Sequence, residues 1–502
     1  MAGLTETHHA VIPRPASIEK RGDAPFALTP DTHIVAAAAG EEATAVADHL
    51  AALLRRATGY PVPVHRGTAR PRPAILLALD SHRRLGAEGY RLRVARNAVQ
   101  LEAKTSEGLF RAVQTLRQLL PATVESASTQ SGPWTIPAVS VADRPRFGWR
   151  GAHLDVSRRF FSLAEVKRYI DLVCQYKINV LHLHLSDDQG WRIVVDRWPR
   201  LATHGGSSAV GGGPGGYYTK LDYREIVRYA AARYVTVVPE IDTPGHTGAA
   251  LASYPELNCD GRSPPLYTGV DVGFSSLCVE KEITYEFLDD VVRELAEITP
   301  GRYLHLGGDE ARATADADYV RFIDRLRPIV RRHGKRMMGW EEMARARLAP
   351  GTLVQYWSPA TGSEPGTAPA RRAVEQGLKL VMSPANHAYL DMKYDRGTPV
   401  GLSWAGYVDA RDAHDWDPAE LIDGVGEKDV AGVESALWTE TIADLKDAEF
   451  MTFPRLPGIA EVGWSPRAGH DWEDYRRRLA AHGPRWEAQR VNFYRSAQVP
   501  WP

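Results

Sequence analysis

The alternation of apolar and polar positions changes character once along the chain. In the first part, a stretch with helical spacing over 41–57 is followed by three short runs, AILLAL, YRLRVA and AVQLEA. A second helical stretch then runs from about 106 to 119, where Leu109, Val113, Leu116 and Leu120 recur every three or four positions and Pro121 ends the pattern. This pattern predicts a small α+β domain. From Gly151 onward, short and mostly apolar runs that end in polar residues alternate with amphipathic helical stretches. Eight such runs occur: GAHLDVS, NVLHLHLSD, VTVVPEID, YLHLGGDE, RMMGWEE, TLVQYW, LKLVMSP and VAGVESALW.

That second rhythm is the βα repeat of a parallel sheet. Eight units, with longer loops after the second, third and seventh, predict a closed (β/α)8 TIM barrel in preference to an open doubly wound sheet. The absence of Gly-x-Gly-x-x-Gly after the first run weakens a dinucleotide-binding alternative. The boundary falls after the Ser- and Gly-rich loop VESASTQSGP, inside the Pro- and Gly-punctuated TIPAVSVADRPRFGWRG. The expected class is therefore α/β: a smaller N-terminal α+β domain over 1–146 and a (β/α)8 barrel over 147–502.

In such barrels the reactive groups collect where strands end. Here those positions carry Asp155 and Arg158, then Asp187 and Asp188, then Glu240, Asp242 and His246, then Asp309 and Glu310. Later runs add Trp340, Glu341 and Glu342, then Trp357, then Tyr389 and Asp391, and finally Trp438 and Glu440. A single carboxylate at such a place caps a helix or pairs with an arginine. Caps do not account for indole rings on the same edge, whereas a sugar site needs flat apolar faces beside carboxylates that grip hydroxyls. In His305-Leu306-Gly307-Gly308-Asp309-Glu310, neighbouring side chains on a regular strand would point to opposite faces, so the acidic pair serves one site only if the backbone turns. Gly307 and Gly308 permit that turn.

Composition narrows the partners. Lys plus Arg is 61 and Asp plus Glu is 62 among 502 residues, a formal net charge of −1 that argues against a nucleic-acid partner. No apolar run approaches the roughly 20 residues that span a bilayer, so no membrane partner is expected. Cys174, Cys259 and Cys278 are too few for a disulfide scaffold; Cys174 reads as a buried hydrophobe, and Cys259 and Cys278 bracket a loop across which they either pair or stay free. The opening MAGLTETHHAVIPRP lacks a basic stretch followed by an apolar core, which is expected of a cytoplasmic protein or of an exported one whose leader has been removed.

The His-x-Gly-Gly-Asp-Glu run resembles the signature of the family 20 glycoside hydrolases, the β-N-acetylhexosaminidases. The resemblance extends over nearly the whole chain: DVSRRFF, HLHLSDDQGWR, PEIDTPGH, GWEE, YLD and LWTE stand in the family's order, and actinobacterial (Streptomyces-like) members look closest. It implies exo-acting, retaining hydrolysis of terminal β-linked GlcNAc or GalNAc, a small-molecule carbohydrate substrate, and no metal or cofactor. The sugar's own acetamido oxygen would attack the anomeric carbon. By this resemblance Glu310 is the acid/base with a raised pKa, Asp309 stays ionised and orients the acetamido N–H, and Tyr389 aligns the acetamido oxygen. Trp340, Trp357 and Trp438 enclose the methyl group; Arg158, Asp391 and Glu440 hold hydroxyls, with Trp404 near the 6-hydroxyl side. Asp187, Asp242 and His246 support the acid/base from behind.

Two other readings compete. His182 and His184 form a His-x-His pair like that of metal-dependent amidohydrolase barrels, but RMMGWEE and TLVQYW lack the further histidines such a site expects. A sugar-binding protein without turnover would keep the barrel, yet Asp309, Glu310 and Tyr389 are all intact. His305 reads as packing, and the glycines of GGSSAVGGGPGGYYT predict a mobile loop on the aglycone side.

Overall fold

The computed structural model describes residues 9–37, 40–67, 71–80, 85–359 and 366–502; most of the opening segment read for a leader, 1–8, lies outside them. Two compact units result. One comprises Met1–Arg146, Gln175–Lys177 and Ala460–Pro502, the other Phe147–Cys174 and Ile178–Ile459. The segment Ala460–Pro502, which the sequence reading grouped with the barrel, thus packs with the N-terminal unit.

The first unit is built on a seven-stranded mixed sheet that includes the three runs AILLAL, YRLRVA and AVQLEA as strands. Two of its helices span Glu41–Thr58 and Ser106–Leu119, the second capped by the Thr105 side chain, which accepts from the Gly108 amide. Buried cations explain why the distant segments join it. Arg485 donates to the carbonyls of Arg117 (3.2 Å) and Gln118 (2.6 Å), and Arg478 pairs with Glu461 at 2.6 Å while donating to the carbonyl of Val11. Lys177, fully buried, lies 3.0 Å from both Asp143 and the Tyr90 hydroxyl. A buried ammonium or guanidinium is tolerable only with such partners.

The second unit is a closed barrel of eight parallel strands in sequence order, as expected: Trp149–Asp155, Val180–His184, Thr236–Glu240, Tyr303–His305, Arg336–Trp340, Leu353–Tyr356, Lys379–Met382 and Val430–Ser435. The barrel closes where the first strand pairs with the eighth, Gly151 opposite Glu434. Because side chains alternate along each strand, the interior is layered. Trp149, Val180, Val238, Met338, Leu353 and Val381 fill the lower layer. Above them the layer is polar and fully buried, with His153, His182, His305, Glu240, Gln355 and Glu434. Gly151 is required there, since a β-carbon would stand 2.0 Å from the Glu434 carboxylate. Among the described residues no helix is long and apolar enough to cross a membrane.

Candidate active site

The fourth strand ends at His305, and the chain leaves it through a turn in which Gly307, Gly308 and Glu310 have φ of +63°, +105° and +45°. Gly307 admits no side chain, because a β-carbon would stand 1.6 Å from Oδ1 of Asp242. The turn is pinned from both sides: the Gly308 amide donates to Asp242 Oδ1 at 3.1 Å, and the Gly308 carbonyl accepts from the Tyr319 hydroxyl at 2.7 Å. Asp309 and Glu310, adjacent in sequence, therefore reach the same group. Nε2 of His246 lies 3.5 Å from Oδ2 of Asp309 and 3.5 Å from Oε2 of Glu310.

Behind His246 stands a buried chain of charges. Its Nδ1 is 3.1 Å from Oδ1 of Asp187, whose Oδ2 is 2.9 Å from Arg158 and 2.9 Å from Nε2 of His184. Arg158 also approaches Asp155 (3.4 Å) and Glu440 (3.9 Å), with its guanidinium 4.9 Å from the centre of the Trp438 ring. Burial opposes every charge here, and the partners decide the outcome. Asp187 is driven well below the usual carboxylate range, because Arg158 and His246 overcome the cost of its burial. His246 is raised well above an ordinary imidazole against its own burial, chiefly by Asp187 and Asp309. Burial pushes Asp309 up to about 6, partly relieved by His246, and lifts Asp242 well above its usual range with the help of Asp309. Glu310 moves down: burial raises it, but the hydrogen bond and charge of His246, with Arg312 and Arg158, outweigh that. The expected order of a raised Glu310 beside an ordinarily ionised Asp309 is therefore inverted.

An aromatic wall completes the site. Trp340, Tyr389 and Trp438 form a buried cluster with Met392 and Val408, and Trp357 packs against it half-buried. Ring centres of Trp340 and Trp438 are 5.7 Å apart, and those of Tyr389 and Trp438 are 6.3 Å apart. Trp404, 51% exposed, stands edge-on to both Trp357 (5.9 Å) and Tyr389 (5.8 Å) and so forms the outer part of the wall. The indole N–H groups of Trp340 and Trp357 donate to Glu240 and Glu342, at 2.9 and 3.1 Å. Asp391 is buried, and neither of its oxygens has a well-formed hydrogen bond.

Comparison with known proteins gives the same picture. Residues 147–318 and 314–467 match "Glycosyl hydrolase family 20, catalytic domain", and 8–144 match "Glycosyl hydrolase family 20, domain 2". The chain belongs to glycoside hydrolase family 20. Among its relatives, the β-N-acetylhexosaminidase of Cellulomonas fimi is 43% identical over 493 residues, 98% of this chain and 97% of that protein. The family 20 β-N-acetylhexosaminidase structure from Streptomyces coelicolor A3(2) is 56% identical with a TM-score of 0.96, covering 98% of this chain and 99% of that one. The Streptomyces plicatus N-acetyl-β-hexosaminidase in complex with Thio-NAglucal is 56% identical with a TM-score of 0.95, covering 98% of both.

Within this family 20 barrel, the residues singled out by sequence converge on one end. Asp155, Arg158, Asp187, Asp242, His246, Asp309, Glu310 and Glu440 are linked by the contacts above, and Trp340, Trp357, Tyr389, Trp404 and Trp438 form the wall. The His-x-His pair has its ring nitrogens directed at carboxylates: His182 at Glu434 (2.7 Å) and Glu240 (3.2 Å), His184 at Glu240 (2.6 Å) and Asp187 (2.9 Å). His305 is not mere packing, since its Nδ1 lies 2.8 Å from Glu240. The Gly-rich loop is tied down rather than loose: buried Arg192 donates to the carbonyls of Gly206 (3.0 Å), Ser208 (2.7 Å) and Gly216 (3.1 Å). Cys259 and Cys278 form a disulfide, and Cys174 is buried outside any disulfide. Sequence reasoning missed His153 and Glu434, whose only sign was polarity on strands otherwise apolar. It also missed Arg312, two positions after the acidic pair and 2.7 Å from Glu310.

Proposed function

We propose that this chain is an exo-acting, retaining β-N-acetylhexosaminidase that removes terminal, non-reducing β-linked GlcNAc or GalNAc by substrate-assisted catalysis. The observation that carries the assignment of residues is the contact of one imidazole, His246, with both members of the acidic pair. In this reading the sugar's acetamido oxygen attacks the anomeric carbon and forms an oxazolinium ion. Glu310 protonates the leaving oxygen and then takes a proton from the incoming water. Asp309, ionised, accepts from the acetamido N–H and balances the developing positive charge. Tyr389 donates to the acetamido oxygen, and Trp340, Trp357 and Trp438 enclose the methyl group. Arg158, Asp391 and Glu440 hold hydroxyls, with Trp404 at the outer edge; Asp187 and Asp242 hold His246 and the turn in place.

The reaction needs one proton on the acidic pair, and because the charge of Asp309 raises buried Asp242 while a hydrogen bond from Asp242 acts back on Asp309, the titration of the site belongs to these carboxyls together. Without substrate, burial keeps the proton on Asp309, while the hydrogen bond and charge of His246 hold Glu310 ionised. An acetamido N–H against Asp309 favours its charged form and sends the proton to Glu310, where it is needed. The reading is tested by assaying an aryl β-N-acetylglucosaminide beside the corresponding β-glucoside, and a chitooligosaccharide. Turnover of the first, near-inertness of the second and early release of monosaccharide from the third are expected. Equal turnover of both aryl glycosides, or internal fragments appearing first, would overturn it.

A further inference from the structure

The outer face of the acid is occupied by a residue the proposed mechanism leaves unused. Glu310 presents Oε2 to His246, and its other oxygen, Oε1, lies 2.7 Å from Nη2 of Arg312. The Arg312 side chain is 67% exposed. Its stem is nonetheless seated: a β-carbon on Gly273, in the loop closed by the Cys259–Cys278 disulfide, would stand 2.9 Å from Cδ and 3.2 Å from Cγ of Arg312. The loop thus directs a guanidinium onto the acid at the mouth of the site. The charged groups around Glu310 are His246 from the loop after the third strand, Arg158 from the end of the first, and Asp309 and Arg312 on its own turn.

We propose that Arg312 selects aglycones that carry an anion on the carbon adjacent to the one bearing the scissile oxygen. The inference rests on Glu310 being the proton donor in the glycosidase reading above. A group that donates to the scissile oxygen stands within a hydrogen bond of it. A guanidinium within a hydrogen bond of that group is therefore within reach of a substituent on the neighbouring carbon. A guanidinium has five donors in a fixed fork suited to carboxylate or sulfate. With a neutral aglycone, Arg312 stays on Glu310 and stabilises its deprotonated form, which opposes proton donation. With an anion beside the scissile oxygen, the guanidinium turns to the substrate, and Glu310 is relieved of one of the charges that hold its proton off.

The test uses β-1,4-linked disaccharides of GlcNAc in which the reducing sugar carries a 3-O-lactyl acid, the methyl ester of that acid, or a 3-O-sulfate. The acid and its ester match in shape and differ in charge. The wild type is expected to cleave the acid about three- to fivefold faster than the ester in kcat/KM, the range an exposed ion pair supports. An advantage for both anions assigns the effect to charge in general; one for the lactyl acid alone assigns it to the carboxylate's geometry. Arg312→Gln should bring the ratio to about one and move the basic limb of the ester's pH profile upward, while Arg312→Lys keeps part of the preference. Unchanged thermal unfolding of Arg312→Gln separates charge from misfolding. A wild-type ratio at or below one, or a preference that survives Arg312→Gln, would overturn the proposal, as would turnover of an aryl β-N-acetylglucosaminide with none of the disaccharides cleaved. Failure on the aryl glycoside as well would instead remove the glycosidase reading.

Discussion

Nδ1 of His246 lies 3.1 Å from Oδ1 of Asp187, and this contact sets the electrostatics of the whole site. With Arg158 holding its other oxygen, Asp187 remains ionised and keeps a positive charge on His246 favourable, directly beneath Asp309 and Glu310. That charge competes with burial at both carboxyls. It leaves Asp309 at about 6 and Glu310 below the usual glutamate value.

The pH dependence follows from those two directions. The productive pair holds a single proton, which is lost as the pH rises through about 6, while a second proton is added only below the ordinary glutamate range. On a neutral aryl substrate, kcat/KM is expected to fall above about pH 6. A profile flat from pH 5 to pH 8 would contradict the shared-proton account.

Asp187→Asn removes the partner of His246 without changing the side chain's size. His246 then loses its charge more easily and lowers neither carboxyl as strongly, so the basic limb should shift upward. Activity should drop by at least about tenfold, the loss expected when a charge-assisted hydrogen bond worth roughly 1.5 to 3 kcal/mol is broken. A shift in the limb separates this electrostatic role from a merely structural one.

Glu310→Gln keeps the shape of the acid and removes its proton. Substrates with a poor leaving group should lose the roughly 10²- to 10⁴-fold typical of general acid catalysis, and those with a very acidic leaving group much less. Comparing kcat/KM across aryl glycosides of graded leaving-group pKa is the check; a uniform loss would mean another group is the acid.

The barrel and its rim were legible because each strand carries its own signal. Apolar runs ending in Asp, Glu or Trp mark both the strand and the end where chemistry sits, and Gly307-Gly308 marks the turn that lets Asp309 and Glu310 share a face. The polar layer below was not legible, because His153 and Glu434 point into the interior and Glu434 meets its partners, His182 at 2.7 Å and Gln355 at 2.8 Å, only across the closed barrel. Nor was the attachment of 460–502 to the N-terminal unit, since Arg478 and Arg485 look like solvent-facing helix residues until the carbonyls that receive them are seen. The inverted pKa order depends on distances between loops, which spacing in sequence does not carry.

Asp391 illustrates a conflict between function and stability. It is 1% exposed; burial and the charge of Glu440 push its carboxyl well above the usual range, against the opposing pull of nearby backbone amides and Arg455. A folded pKa above the unfolded one means stability that is complete at acid pH and lost as the pH rises. Asp391→Asn should therefore stabilise the protein at pH 7 by about 1 to 3 kcal/mol, and the gain should vanish below about pH 4, where the unfolded carboxyl is also neutral. If Asp391 grips a sugar hydroxyl, the same variant should raise KM. Thermal unfolding at pH 7 and pH 4, set beside the kinetics, reads both effects.

In the proposed mechanism the acetamido group of the substrate is the nucleophile. Asp309 lies one residue from the acid on a turn that brings both to His246, and Tyr389 is buried against Trp340 and Trp438, an enclosure suited to an N-acetyl group. Asp309→Asn and Tyr389→Phe should each lower kcat by roughly 10² to 10³, the loss seen when one preorganised stabilising contact is removed. A thiazoline mimic of the bicyclic intermediate should bind far more tightly than the product, because a site complementary to the transition state favours its analogues. The opposing mechanism, attack by a protein carboxylate, has two nominal candidates. Glu240 is fully buried, with its oxygens accepting from the Trp340 indole and facing His182, His184 and His305, while Glu440 faces Arg158. A 2-fluoro sugar would trap a glycosyl adduct on whichever carboxylate attacked, and mass analysis would locate it. An adduct at Glu440 would sink the substrate-assisted assignment while leaving hydrolysis itself intact; no adduct, together with tight thiazoline binding that weakens in Asp309→Asn, is the expected result.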